Sequence, residues 1–143
     1  MGLGGYLDDS YFVPMGIGTP AQTLNVLPDT GSTNLWVIDS TCTDEKNCPS
    51  SSPKFTASMS KTHQSSGLSF HEVYGDHAAA SGTISHDTVS LAGYSISSLA
   101  FGRVKHVTER TMGPTVSGIL GLSFHDPKSV SYTHLTLPTK RIV

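Results

Sequence analysis

The sequence predicts an all-β fold, and three observations carry that prediction. Apolar residues alternate with small or polar ones in several short segments, which is strand periodicity. Glycine, at 14 residues, and proline, at 8, punctuate those segments together with abundant serine and threonine, the residues that turns select. Most telling is Val26-Leu27-Pro28-Asp29-Thr30-Gly31-Ser32-Thr33-Asn34-Leu35-Trp36-Val37. There an apolar strand runs into an acid, a turn closes on Gly31, and a second apolar strand leaves. At 143 residues the chain suits one domain rather than two.

Composition also removes whole classes of partner. Charged residues make up 14% and the net charge is −2, so there is no electrostatic case for nucleic acid or an anionic membrane. No apolar run reaches the ~20 residues of a membrane helix. Met1-Gly2-Leu3-Gly4-Gly5 is too short and glycine-rich for a signal peptide. The signal and pro-segment of a secreted parent are therefore expected outside this sequence. No Asn-x-Ser/Thr sequon occurs.

Taken in order, Tyr11, Val13, Met15 and Ile17 alternate with other residues and predict the first strand. Gly18-Thr19-Pro20 makes a turn, and the chain returns with Leu24 and Val26 on one face. Gly16-Ile17-Gly18 lacks the third glycine and the following helix of a dinucleotide-binding turn, so that reading fails. Cys42 and Cys48 bound a short polar loop, which reads as a local disulfide of an oxidising compartment, with two free thiols the alternative. No second Cys or His pair sits at zinc-ligand spacing, so no metal and no cofactor are expected. The seven histidines are scattered and read mostly as surface residues.

Residues 48–67 show little periodicity and predict a short helical turn in an irregular connection. A β-hairpin follows, rising through Phe70 to Tyr74, turning at Gly75-Asp76-His77, and returning through residues 81–91. Ile96, Leu99 and Phe101 predict further short strands with turns at Gly93 and Gly102, and residues 103–114 read as an exposed connection. Ser117-Gly118-Ile119-Leu120-Gly121-Leu122 taken alone reads as an ordinary apolar core strand.

The chemistry concentrates at Asp29. Taken alone, Asp-Thr-Gly is a common surface turn, but strands with Trp36 and β-branched residues on both sides argue for a buried hairpin. Hydroxyls of Thr30 and Ser32 and turn amides hydrogen-bond to a carboxylate and hold it in one orientation.

Asp29-Thr30-Gly31-Ser32 followed by Leu35-Trp36-Val37 resembles the active-site loop of the pepsin-like aspartic proteases. The run from Tyr11 to Gln22 is similar to that family's entry strand. Val73-Tyr74-Gly75-Asp76 with the return strand resembles the flap of its fungal members, and residues 118–122 resemble the segment that threads beside the Asp loop. The resemblance implies an all-β, pepsin-like N-terminal lobe over residues 1–127, a closed or partly open β-barrel or sandwich with an active-site ψ-loop and a flap hairpin. It implies Asp29 as one catalytic carboxylate, supported by Thr30, Gly31, Ser32, Trp36 and Gly121, with Thr30 bracing a lobe-to-lobe contact and Ser32 holding the carboxylate. Tyr74, Gly75 and Asp76 would meet a bound peptide from the flap, and Leu27 and Ile119 would line an apolar subsite. Chemistry of this type requires a pair of aspartates sharing a proton.

Four features depart from that pattern. Pro28 stands before the catalytic position and is expected to alter the strand locally, because proline offers no N–H and restricts Leu27. His77 occupies a tip position where glycine is usual, and a positive φ there is costly for histidine. One Asp-Thr-Gly is present, so the second carboxylate and a C-terminal lobe are expected from elsewhere. Residues 130–139 resemble a translated sequencing adapter, so 128–143 are expected to be a non-native tail.

These readings imply an aspartic endopeptidase acting on peptide or protein substrates at acid pH, monomeric as a full enzyme, and either secreted or held in an acidic vacuole or lysosome-like compartment. A lone lobe would be inactive or nearly so. The alternatives are a homodimer in which two copies of Asp29 form the dyad, and a non-catalytic peptide-binding β-domain, favoured by Pro28 and His77.

Overall fold

The structure is a computed structural model that describes residues 4–6, 10–75, 77–108 and 113–123. The strands are β1 (Gly4–Tyr6), β2 (Ser10–Ile17), β3 (Gln22–Asp29), β4 (Leu35–Ile38), β5 (Gln64–Val73), β6 (Ala79–Leu91), β7 (Tyr94–Thr108) and β8 (Gly118–Gly121), with one 3-10 turn at Ala57–Met59. The predicted all-β class is the observed one. The expected helical turn between the cysteine loop and the hairpin is that 3-10 segment.

Pairing closes a barrel. β2 pairs with β3, β3 with β8, β8 with β4, β4 with β7, β7 with β6, and β6 returns to β2. β1 and β5 lie outside this ring, extending β2 and β6. Closure satisfies backbone groups that an open sheet would leave at its edges. The alternating residues fill the interior: Met15, Ile17, Leu24, Val26, Leu35, Val37, Phe101 and Leu120 form one core cluster with Phe55. Tyr11 breaks the pattern and is exposed, because at that register β2 has left the ring and pairs with β1.

β8 lies between β3 and β4, parallel to the first and antiparallel to the second. The two strands joined by the Asp29 loop are thus separated by a third, which is the ψ-loop arrangement. Glycines make it possible. A Cβ on Gly118 would lie 2.0 Å from the Trp36 carbonyl oxygen, and one on Gly121 would lie 2.6 Å from the Asn34 nitrogen.

Four expectations are corrected by the strands. Pro28 does not break β3, which runs through to Asp29. Asn25 and Asp29 turn their carbonyls toward β8, accepting from Ser117 and Leu122, so Pro28, of opposite parity, directs its nitrogen away from β8. On that side the ladder with β2 ends at the Val13–Val26 pair, and no ladder bond is lost. Gly102 is not a turn but sits mid-strand, paired with Ile84 and Trp36. The Phe70 ring fills the space above it, 2.7 Å from where a Cβ would stand. Consequently β7 is one 15-residue strand rather than short pieces. It carries part of the predicted exposed connection, with Val104 fully buried and Arg103 3.5 Å from Asp39. A bulge at Ser98, at φ +56, absorbs the register shift between the Asp87–Leu99 and Val89–Ile96 pairs.

Candidate active site

Asp29 ends β3, and the segment after β8 clasps its loop. The Leu122 N–H donates to the Asp29 carbonyl at 2.7 Å, Ser123 N–H to the Ser32 carbonyl at 2.8 Å, and Gly121 N–H to the Asn34 carbonyl at 3.0 Å. Three backbone bonds over so short a loop fix its path. The carboxylate itself accepts the Gly31 N–H at 2.9 Å on Oδ1. The hydroxyl of Ser32 was expected to hold this carboxylate. Ser32 is buried, and its Oγ has no hydrogen-bond partner among the described residues. The turn amide supplies the orientation instead. Thr30 and Gly31 are exposed at the loop tip.

Leu27, Ile119 and Trp36 lie in register across β3, β8 and β4. They form an apolar floor beside Asp29 that continues into Phe70, Val104 and Ala80. Above it stands the hairpin of β5 and β6, paired from Gln64–His86 to Val73–Ala79. Tyr74 packs half-buried against this cluster, and its phenol oxygen accepts the Trp36 indole N–H at 2.6 Å. Its backbone N–H donates to the Ala78 carbonyl at 2.9 Å, and its carbonyl accepts the His77 N–H at 3.0 Å. The tip is held in a closed turn with His77 at φ +69. Gly75 is exposed at that tip, and Asp76 lies outside the described residues.

Cys42 and Cys48 form a disulfide, which decides between the two readings left open by the sequence. Both cysteines are buried in the cluster that contains Trp36. Among the described residues no group of three or more His, Cys, Asp or Glu side chains could hold a metal ion.

One acid in the groove was missed from the sequence. Glu72, on β5, lies midway between Phe70 on the same strand and Tyr74 just beyond its end, and its register partner is the buried Ala80. It therefore belongs to the inward face of the hairpin, where alternation would place an apolar residue. The signal was its parity with Phe70 and Tyr74. Its Oε2 accepts a hydrogen bond from Asn34 Nδ2 at 3.3 Å, so Asn34 and Trp36, two apart at the entry to β4, meet Glu72 and Tyr74, two apart at the exit of β5. Burial pushes the Glu72 carboxyl above its usual range; the Asn34 bond opposes this, and the nearby Asp29 charge adds to it.

A closed barrel whose ψ-loop presents one clasped carboxylate beneath a hairpin defines a lobe of the aspartic protease type. The family model for eukaryotic aspartyl proteases matches residues 10–140, and the chain belongs to that family. It is 40% identical over 129 residues to endothiapepsin of Cryphonectria parasitica, covering 89% of this chain and 30% of that protein. It is 39% identical to major aspartyl peptidase 1 of Cryptococcus neoformans var. grubii over 82% of the chain and 24% of the relative. Rhizopuspepsin-2 of Rhizopus niveus is 38% identical over 83% of the chain and 30% of its own length. The chain thus spans about 30% of the length of endothiapepsin and rhizopuspepsin-2.

Proposed function

We propose that this chain is the N-terminal lobe of a two-lobed aspartic endopeptidase and that Asp29 is one of its two catalytic carboxylates. The observation that carries the reading is the Asp29 loop, clasped by residues 121–123 and roofed by a hairpin whose Tyr74 is bonded to Trp36. In the complete enzyme a water between Asp29 and a carboxylate from the second lobe attacks the scissile carbonyl. One acid takes the water's proton while the other, protonated, polarises the carbonyl and later protonates the leaving amine. Thr30 braces the lobe-to-lobe contact in this reading, which its exposure at the loop tip supports. Tyr74, Gly75 and Asp76 close over the peptide, and Leu27 and Ile119 line an apolar subsite. Residues 1–127 are the lobe and 128–143 a non-native tail in this reading.

The smooth passage of β3 through Pro28 removes one of the two supports for a non-catalytic peptide-binding domain. The Cys42–Cys48 disulfide supports an oxidising compartment, hence a secreted or acidic-vacuole enzyme. The test is to recover the full coding sequence and assay its product on a peptide substrate at acid pH. Activity blocked by a statine-type inhibitor and abolished by Asp29→Asn is expected. A message that ends without a second Asp-Thr/Ser-Gly, or full activity in Asp29→Asn, overturns the reading. Activity rising with the square of the concentration of this chain alone would favour the homodimer.

A further inference from the structure

We propose that Glu72 forms an acidic subsite on the inner face of the hairpin that takes a lysine or arginine side chain of the bound peptide. The inference rests on the groove assigned above and concerns which peptides it selects. Phe70 and Tyr74, the neighbours of Glu72 on that face, both pack into the apolar cluster with Trp36, Leu27 and Ile119. Glu72 shares their side of the strand and is opposed by the buried Ala80. A carboxylate has therefore been set among apolar side chains bordering Asp29.

Its hydrogen-bond partner in the structure is a neutral amide at 3.3 Å, a long bond for an ionised acceptor, where charge-assisted bonds run shorter. The ion pair formed among the described residues joins Arg103 and Asp39 and leaves Glu72 aside. A half-buried acid costs free energy unless a cation or strong donors meet it. The rise in its proton affinity caused by burial and by the Asp29 charge is the expression of that unmet demand. A peptide ammonium or guanidinium entering the groove would meet it, its aliphatic stem lying along the apolar floor. An acidic peptide side chain would add a second like charge and be rejected.

The test uses the full-length product and one peptide sequence made with lysine, norleucine or glutamate at each position flanking the cleaved bond. The readout is the ratio of kcat/KM for the lysine and norleucine peptides, which is independent of any general change in rate. At one position that ratio is expected to exceed one in the wild type and to fall roughly tenfold in Glu72→Gln, the scale of a charge-assisted hydrogen bond. Glu72→Lys is expected to shift the preference toward glutamate. A ratio unchanged by both variants overturns the proposal while leaving the peptidase reading intact, because Asp29→Asn tests that reading on the norleucine peptide. If no peptide is cleaved, the peptidase reading falls, and binding decides the subsite. The Trp36 fluorescence of the 143-residue chain is then titrated with the lysine and norleucine peptides. Tighter lysine binding lost in Glu72→Gln upholds it; equal or absent binding overturns it.

Discussion

The Trp36 indole N–H donates to the Tyr74 phenol oxygen at 2.6 Å, joining the strand that leaves the Asp29 loop to the end of the hairpin that covers it. The bond is partly buried, and Trp36 is 2% exposed. Hairpin and loop are thereby one mechanical unit, reinforced two residues earlier in each segment by the Asn34–Glu72 bond.

Removing the acceptor leaves the indole N–H buried without its partner. Tyr74→Phe is expected to cost about 1–3 kcal/mol for that reason. The chain has one tryptophan, so denaturant unfolding followed by fluorescence reads both the stability loss and the changed surroundings of Trp36. Equal stability and an unchanged emission maximum would show that the bond does not tie the hairpin down. In the full-length enzyme the same variant should lower kcat/KM, since the hairpin would no longer be held over Asp29.

Two ionisable groups give stability pH dependences of opposite sign. His63 meets Ser85 Oγ through Nε2 at 2.9 Å and packs on Phe55. Burial, then the Arg103 charge, lower its pKa from the ordinary 6.5. The fold therefore favours neutral His63, and its contribution is full above that value and is lost as pH falls through the lowered one. Glu72 is raised above the ordinary 4.5, so its contribution is full below that value and is lost as pH rises through the raised one. Unfolding free energies measured across pH should show His63→Gln gaining on the wild type toward acid. Glu72→Gln should gain on it toward neutrality. Parallel curves for either variant would remove that group from the account.

The hairpin tip holds His77 at φ +69, a left-handed conformation that L-residues other than glycine adopt at a cost. His77→Gly is expected to stabilise the chain by about 1 kcal/mol, the strain relieved less the added chain entropy of glycine. The turn bonds from the His77 N–H to Tyr74 and from the Tyr74 N–H to Ala78 need no side chain at position 77 and should persist. A loss of stability in this variant would mean that the imidazole itself holds the tip.

Local signals made much of this site readable. Asp29, Tyr74, the hairpin and the glycines of β8 all announce themselves by short patterns that stand where backbone constraints require them. What stayed hidden depended on contacts distant in sequence. Gly102 looks like a turn until the Phe70 ring, 32 positions away, is seen to occupy its missing side chain's place. Glu72 looks like a solvated strand residue until Ala80 and Asn34 place it inward. Ser32 has the right hydroxyl for the carboxylate, yet the Gly31 amide makes the bond. Which of several nearby donors wins is set by loop path, and residues 121–123 set that path from the far end of the chain.

That dependence makes β8 the place where the site is most sensitive to a single methyl group. A Cβ on Gly118 would stand 2.0 Å from the Trp36 carbonyl oxygen, a backbone atom held in the barrel ladder. Neither backbone can yield without separating β8 from β4, so Gly118→Ala is expected to cost more than about 3 kcal/mol. Gly67 provides the contrast: its φ is +74 and nothing lies within 4 Å of its added Cβ, so Gly67→Ala meets left-handed strain alone, about 1 kcal/mol. Denaturant midpoints of the two variants separate crowding from strain. Their difference should reach the Asp29 loop as well, because Gly121, three residues beyond Gly118, donates to the Asn34 carbonyl. In Gly118→Ala, amide exchange at Gly121, Leu122 and Ser123 should therefore quicken together, while in Gly67→Ala it should stay at the wild-type rate. Equal exchange in both would mean that the loop keeps its shape without β8.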